Sequence, residues 1–151
     1  PQDAKVFYRE YKEWGVELLP ELATFTAYTA ALVKSGALKL TNSGKAVVYQ
    51  DPFQLSRDLA ETEEAREVIG ACAVCNEMLC HGKDTMWAGN ILMKEWMPNV
   101  MVLVAEDRIR NAKGVGADTI VTASVSEYAS LKDVAQTDVQ IISLEELILM
   151  A

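Results

Sequence analysis

Apolar residues in this chain change their period several times, and each change predicts an element. Val6, Phe7, Tyr11 and Trp14 fall at the spacing of one helix face and predict a helix over Lys5–Trp14. Past Pro20, Leu22–Thr26 reads as a short strand. Ala27–Lys34 then reads as a helix that stops near Gly36, a residue free to adopt positive φ. Ala46–Tyr49 has the apolar run of a buried strand, halted by Asp51-Pro52. Glu61–Ile69 predicts an amphipathic helix ending at Gly70. Ala73–Leu79 fits either a strand or a helix end, Gly82–Asn90 a loop, and Ile91–Trp96 a helix. In Val100–Lys113, Ala105, Ile109 and Ala112 share one helix face, and Gly114 closes it. Thr119–Thr122 is a strand, Glu127–Val134 a short helix and Val139–Ile142 a further strand. A last helix starts at Leu144 with Ser143 as its N-cap.

Strands that alternate with helices predict a mostly parallel sheet covered on both faces, a three-layer α/β/α sandwich of Rossmann-like type. Sites in such sheets form in the loops beyond the carboxyl ends of the strands. Three loops there carry unusual residues: Tyr49–Arg57, Lys83–Asn90 and Thr122–Tyr128.

Composition narrows the partners. At 151 residues and 50% hydrophobic, the chain suits one domain with a real core. Its longest apolar run, Val100–Ala105, is far too short for a bilayer, and no charged-then-apolar leader opens it, so a cytoplasmic location is expected. A net charge of −8 with no Lys/Arg cluster argues against nucleic acid. The chain opens on Pro1, which suggests the C-terminal fragment of a longer polypeptide. Its three cysteines, Cys72, Cys75 and Cys80, stand close together, with the only histidine, His81, directly after. Such a cluster suits a redox dithiol or a metal site. Free cysteine is also a common core residue, and adjacent Cys80 and His81 are poorly placed to share one ion, so core packing is the default. Gly114-x-Gly116 ends a helix instead of following a strand, and reads as a turn, not a nucleotide fingerprint. Met86, Trp87, Met93, Trp96 and Met97 are expected to fill the core, with a partner-facing or ligand-lining surface as the alternative.

The three loops, taken together, resemble a known family. Tyr49-Gln50-Asp51-Pro52-Phe53-Gln54-Leu55-Ser56-Arg57 keeps an Asp-Pro-x-x-Leu-x-Arg frame. Ala112-Lys113 followed by Gly116-Ala117-Asp118 and Val121-Thr122 keeps a second frame. The order and spacing are similar to the cysteine-rich CCG domain of heterodisulfide reductase and of the iron–sulfur subunits of glycolate, lactate and glycerol-3-phosphate oxidases. The resemblance runs from about Tyr8 to the end, so residues 1–151 read as a single CCG-type domain. Intact members hold a 4Fe-4S cluster on cysteines. Here Phe53 stands at the first cysteine position, Met86 and Trp87 at the Cys-Cys pair, and Ser124 and Glu127 at the last two, while Gln50 and Gln54 replace histidines. Clusters are held by thiolates, which these side chains do not supply.

The resemblance therefore implies a degenerate copy with no cofactor of its own. Phe53, Met86 and Trp87 are expected to fill the vacated cavity, with Ser124 and Glu127 at its border; Glu127 is expected to be solvated, with a buried acid of functional pKa as the alternative. Such a domain would serve as a structural or subunit-docking part of an iron–sulfur oxidoreductase, with other domains or subunits as partners. Two alternatives remain open. One is a relocated redox or metal site at Cys72, Cys75, Cys80 and His81; the other is a small-molecule pocket in the vacated cavity.

Overall fold

A computed structural model describes residues 2–17 and 21–151. Four parallel strands form the sheet: β1 (Ala46–Gln50), β2 (Val74–Asn76), β3 (Thr119–Thr122) and β4 (Gln140–Ser143), in the order β2-β1-β3-β4. Val48 pairs with Asn76 on one side and Ile120 on the other, and Ile120 pairs with Ile141. The helices are α1 (Gln2–Lys5), α2 (Tyr11–Glu13), α3 (Phe25–Lys34), α4 (Glu64–Cys72), α5 (Pro98–Gly114), α6 (Val125–Val134) and α7 (Leu144–Met150). A π-helical turn, Val6–Glu10, joins α1 to α2, so the predicted N-terminal helix is one continuous helical segment.

Alternation along the strands divides the core in two. Val47, Tyr49, Val121 and Ile142 pack with Val68, Ile69 and Cys72 of α4 and Leu144 and Leu147 of α7. Val48, Ile120 and Ile141 point the other way, against Ala105, Ile109 and Ala112 of α5 and Leu131 of α6. Each fully buried aliphatic side chain contributes about 1.5–3 kcal/mol. This is the predicted α/β sandwich, with the sheet covered on both faces.

Several sequence expectations need correction. Leu22–Thr26 is not a strand. Thr24 instead caps α3, its hydroxyl accepting the Ala27 N–H at 3.1 Å and donating to the Glu61 carboxylate at 2.7 Å. The helix expected at Glu61–Ile69 begins at Glu64, because Glu61 is drawn toward α3 by Thr24 and Thr26. It also runs past Gly70, whose missing side chain faces open space, to Cys72.

Ile91–Trp96 holds only a 3-10 turn, Met93–Glu95. The Asn90 side chain accepts the Leu92 and Met93 N–H groups at 2.8 and 3.3 Å, which turns the chain, and Pro98 then opens α5 afresh. With no helix face to bury, the apolar residues of this stretch point outward: Trp96 is 80% exposed and Leu92 74%. The expected core role of Met93, Trp96 and Met97 is thereby overturned.

The ambiguous segment after Ala73 resolves as the edge strand β2. Ser143 caps α7 as expected, in a capping box: its hydroxyl accepts the Glu146 N–H at 3.2 Å, and the Glu146 carboxylate accepts the Ser143 N–H at 2.7 Å. None of the described helices is long and apolar enough to cross a membrane.

Candidate functional site at the carboxyl edge of the sheet

Strand β1 ends by sending two polar residues in opposite directions. Gln50, in phase with Val48, enters the layer of α5 and α6. Asp51, one residue on, turns toward α4. Both are buried, at 0% and 1% exposure, so each needs partners inside the protein.

Asp51 finds them in Arg66 of α4. The guanidinium donates to both carboxylate oxygens, at 2.7 and 2.9 Å, and its remaining edge donates to both oxygens of Glu77, at 2.7 and 2.9 Å. Burial alone would lower the Arg66 pKa, but these hydrogen bonds raise it, and they hold Glu77 below the usual carboxylate range. Asp51 also accepts the Gly82 N–H at 2.8 Å, and its carbonyl accepts the Thr85 hydroxyl at 3.1 Å. Arg57 donates to the Lys83 and Thr85 carbonyls. The Asp-Pro loop, α4, β2 and the Gly82–Thr85 segment are thus pinned to one another.

On the opposite face, Gln50 bridges two ionisable residues. Its carbonyl accepts from Arg108 Nε of α5 at 2.6 Å. Its amide donates to Glu127 Oε2 of α6 at 3.0 Å and to the Met86 carbonyl at 2.9 Å. Arg108 also donates to the Leu79 carbonyl at 2.9 Å. Arg108 and Glu127 are buried, and Arg108 Nη2 and Glu127 Oε1 have no hydrogen-bond partner among the described residues. Burial pushes the Glu127 carboxyl up to about 8, against the opposing pull of the Gln50 amide and the Arg108 guanidinium.

The residues singled out from the sequence take distinct places. Ser124 is buried and caps α6, accepting the Glu127 N–H at 3.4 Å. Glu127 is not solvated at a rim, as expected, but sits in the first turn of α6 facing Gln50. The Phe53 ring is half-buried, while its N–H lies close enough to Glu127 to favour that residue's charged form. Met86 contributes its backbone carbonyl to Gln50, while its side chain is 38% exposed, so it does not fill a cavity. Trp87 is half-buried, followed by fully buried Ala88 in the α5/α6 core. The three loops do meet, but through Gln50 and Glu127 and not through the apolar plug expected of Phe53, Met86 and Trp87. Beside them, Ser124, Val125, Tyr128, Ser143, Glu145 and Glu146 line an open cleft of about 350 Å³.

The cysteines lie elsewhere. Cys72 ends α4 in the α4/α7 core and lines a cleft of about 120 Å³ beside Lys45, Thr119 and Gln140, at the amino ends of the strands. Burial pushes its thiol up, and pushes that of Cys75, on β2, up to about 11. Cys80 takes a left-handed turn at φ 54°, and exposed His81 contacts the Met78 carbonyl through Nδ1 at 3.0 Å. No three His, Cys, Asp or Glu among the described residues are grouped to hold a metal ion. Raised thiol pKa values are the reverse of what a reactive dithiol requires.

Sequence reasoning misses Arg66, Glu77 and Arg108. Arg108 does leave a signal: it falls at i+3 from Ala105 and four residues before Ala112, on the apolar face of α5. A charged residue on such a face requires a buried partner. No family model, curated protein or solved structure matches this chain.

Two outcomes follow from this geometry. Arg66→Met strands the buried Asp51 carboxylate and should cost about 3–5 kcal/mol in urea unfolding; a loss within the range of surface substitutions would mean that Asp51 is satisfied without it. The second concerns Glu127, whose native pKa of about 8 exceeds its ordinary 4.5. Between those values the native state keeps a proton that the unfolded chain releases, so this group's contribution is greatest below the lower value and declines as pH rises through the upper one. Subtracting the Glu127→Gln stability profile from that of the wild type, between about pH 5 and pH 8.5, should give a difference that falls with pH. A difference that rises would place the native pKa below the unfolded one.

Proposed function

We propose that this domain is a structural or subunit-docking element of an iron–sulfur oxidoreductase, a CCG-type domain that no longer holds a cluster. The observation that supports the reading best is the Gln50–Glu127–Arg108 bridge. At the strand ends where the resemblance implies cluster ligands, buried side chains are hydrogen-bonded to one another and to the Met86 and Leu79 carbonyls. Ser124 is engaged as a helix cap, and Phe53, Met86 and Trp87 offer no ligand atom that iron–sulfur chemistry uses. The loops are tied together by protein groups, which gives a fixed edge without a cofactor.

Anaerobic reconstitution with iron and sulfide tests this directly. The purified chain should retain neither iron nor acid-labile sulfide after desalting, and should show no charge-transfer absorption. A stoichiometric, coloured cluster would overturn the proposal. Loss of that cluster on replacing Cys72 or Cys75 by serine would then assign it to the cysteine segment.

A further inference from the structure

A docking element needs a surface to dock with, and one segment stands out. From Asn90 into the first turn of α5, Ile91, Leu92, Met93, Trp96, Met97 and Val100 are exposed by 53, 74, 39, 80, 43 and 40%. At roughly 200 Å² per large residue, these fractions leave at most about 650 Å² of mostly apolar surface in one short stretch. The largest apolar patch on a typical monomer is only about 300–600 Å². The segment adjoins the carboxyl edge: the Ile91 N–H donates to the Ser126 hydroxyl at 3.3 Å, beside Val125, itself 87% exposed.

We infer that this face pairs with a second copy of the chain about a two-fold axis, an inference that rests on the docking reading above. Area favours it. Two such faces apposed would remove up to about 1,300 Å² from water, at the lower end of the roughly 1,200–2,000 Å² of specific interfaces. Charge opposes it least at this face. The chain carries −8 overall, so two copies repel over most of their surface. From Asn90 to Val100 the only charged residues are Lys94 and Glu95, and Lys94 is paired with Asp133 of α6. The segment therefore adds a single carboxylate, Glu95, to the contact, far less charge than the rest of the surface. The same charge disfavours an anionic membrane, which would need a cluster of Lys and Arg. Trp96 at the centre is the residue type that carries the most energy in such interfaces.

Sedimentation velocity on the chain from about 1 to 100 µM, the range in which an interface of modest affinity is resolved, tests the inference. The wild type should shift from monomer to dimer, and Trp emission should move to shorter wavelength as Trp96 is covered. Leu92→Lys and Trp96→Lys should each weaken association at least about 30-fold. At about 1 µM, where the wild type is itself monomeric, their urea midpoints should match its own, because both side chains face solvent in the monomer. Trp14→Lys, at a residue 63% exposed near the N-terminus, should leave the dimer intact. A wild type that stays monomeric throughout, or patch variants that still dimerise, would overturn the inference. So would a monomer that binds phosphatidylcholine vesicles through Trp96, which would assign the face to lipid. Each of these failures leaves the reconstitution result untouched, so the two proposals fail separately.

Discussion

The carboxylate of Asp51 is buried at the end of a central strand, and much of the surrounding structure is arranged to answer it. A charge in that position is tolerable only when its hydrogen-bonding capacity is filled. Arg66 fills most of it from α4, and the Gly82 N–H adds one bond from the loop after β2. Arg66 in turn holds Glu77, so one ion pair joins the helix before β2 to the chain that leaves it. Because the sheet order is β2-β1-β3-β4, β2 is an edge strand paired on one side only. A three-residue strand in that position has few ladder hydrogen bonds, and the Arg66 clamp supplies the attachment that they lack.

The two-residue period of β1 extends this constraint through the sheet. Asp51 turning to the α4 face obliges Gln50 to turn to the other, where α5 and α6 present Arg108 and Glu127. An amide is well suited to that position, since it donates to the acid and accepts from the guanidinium at once. It stands between the two groups, and it leaves one atom of each, Nη2 and Oε1, without a partner among the described residues. The Glu127 carboxyl then lies among buried groups with only partial compensation, which is why its proton is held so far above the usual range. The Met86 carbonyl, bonded to the same amide, fixes the second loop to this bridge.

What is legible in the sequence follows from the same physics. The strands can be read because parallel strands buried on both faces become short apolar runs, as in Ala46–Tyr49 and Thr119–Thr122. The late start of α4 cannot, because Glu61 is held by hydrogen bonds from Thr24 and Thr26, more than 30 positions away. Glu127 reads as a solvated rim residue since nothing local marks it as buried; its burial depends on Gln50 and on the depth of α6 against the sheet. Arg108 is readable in principle, as a charge in register with Ala105 and Ala112. The Met- and Trp-rich stretch misleads for a different reason. Apolar composition predicts burial only when an element offers a face to bury, and the Asn90 turn and Pro98 leave Ile91–Met97 without one.

That last point bears on why a rigid edge and an apolar segment occur side by side. Association costs less when the groups that meet are already held in their bound arrangement, because little conformational freedom is then lost at contact. The segment is anchored at its start by Asn90 and by the Ile91–Ser126 hydrogen bond, and at its end by the first turn of α5. Helix α5 is fixed through Arg108 to Gln50, and α6 through Glu127 to the same side chain. A bridge of this kind holds both flanks of the exposed segment at a constant separation. Loosening the bridge would therefore act on the surface beyond it, by letting α5 and α6 move apart beneath the apolar residues they carry. Stability at the strand ends and geometry at the proposed interface are in this sense one property, set by how well β1 satisfies the two polar residues with which it ends.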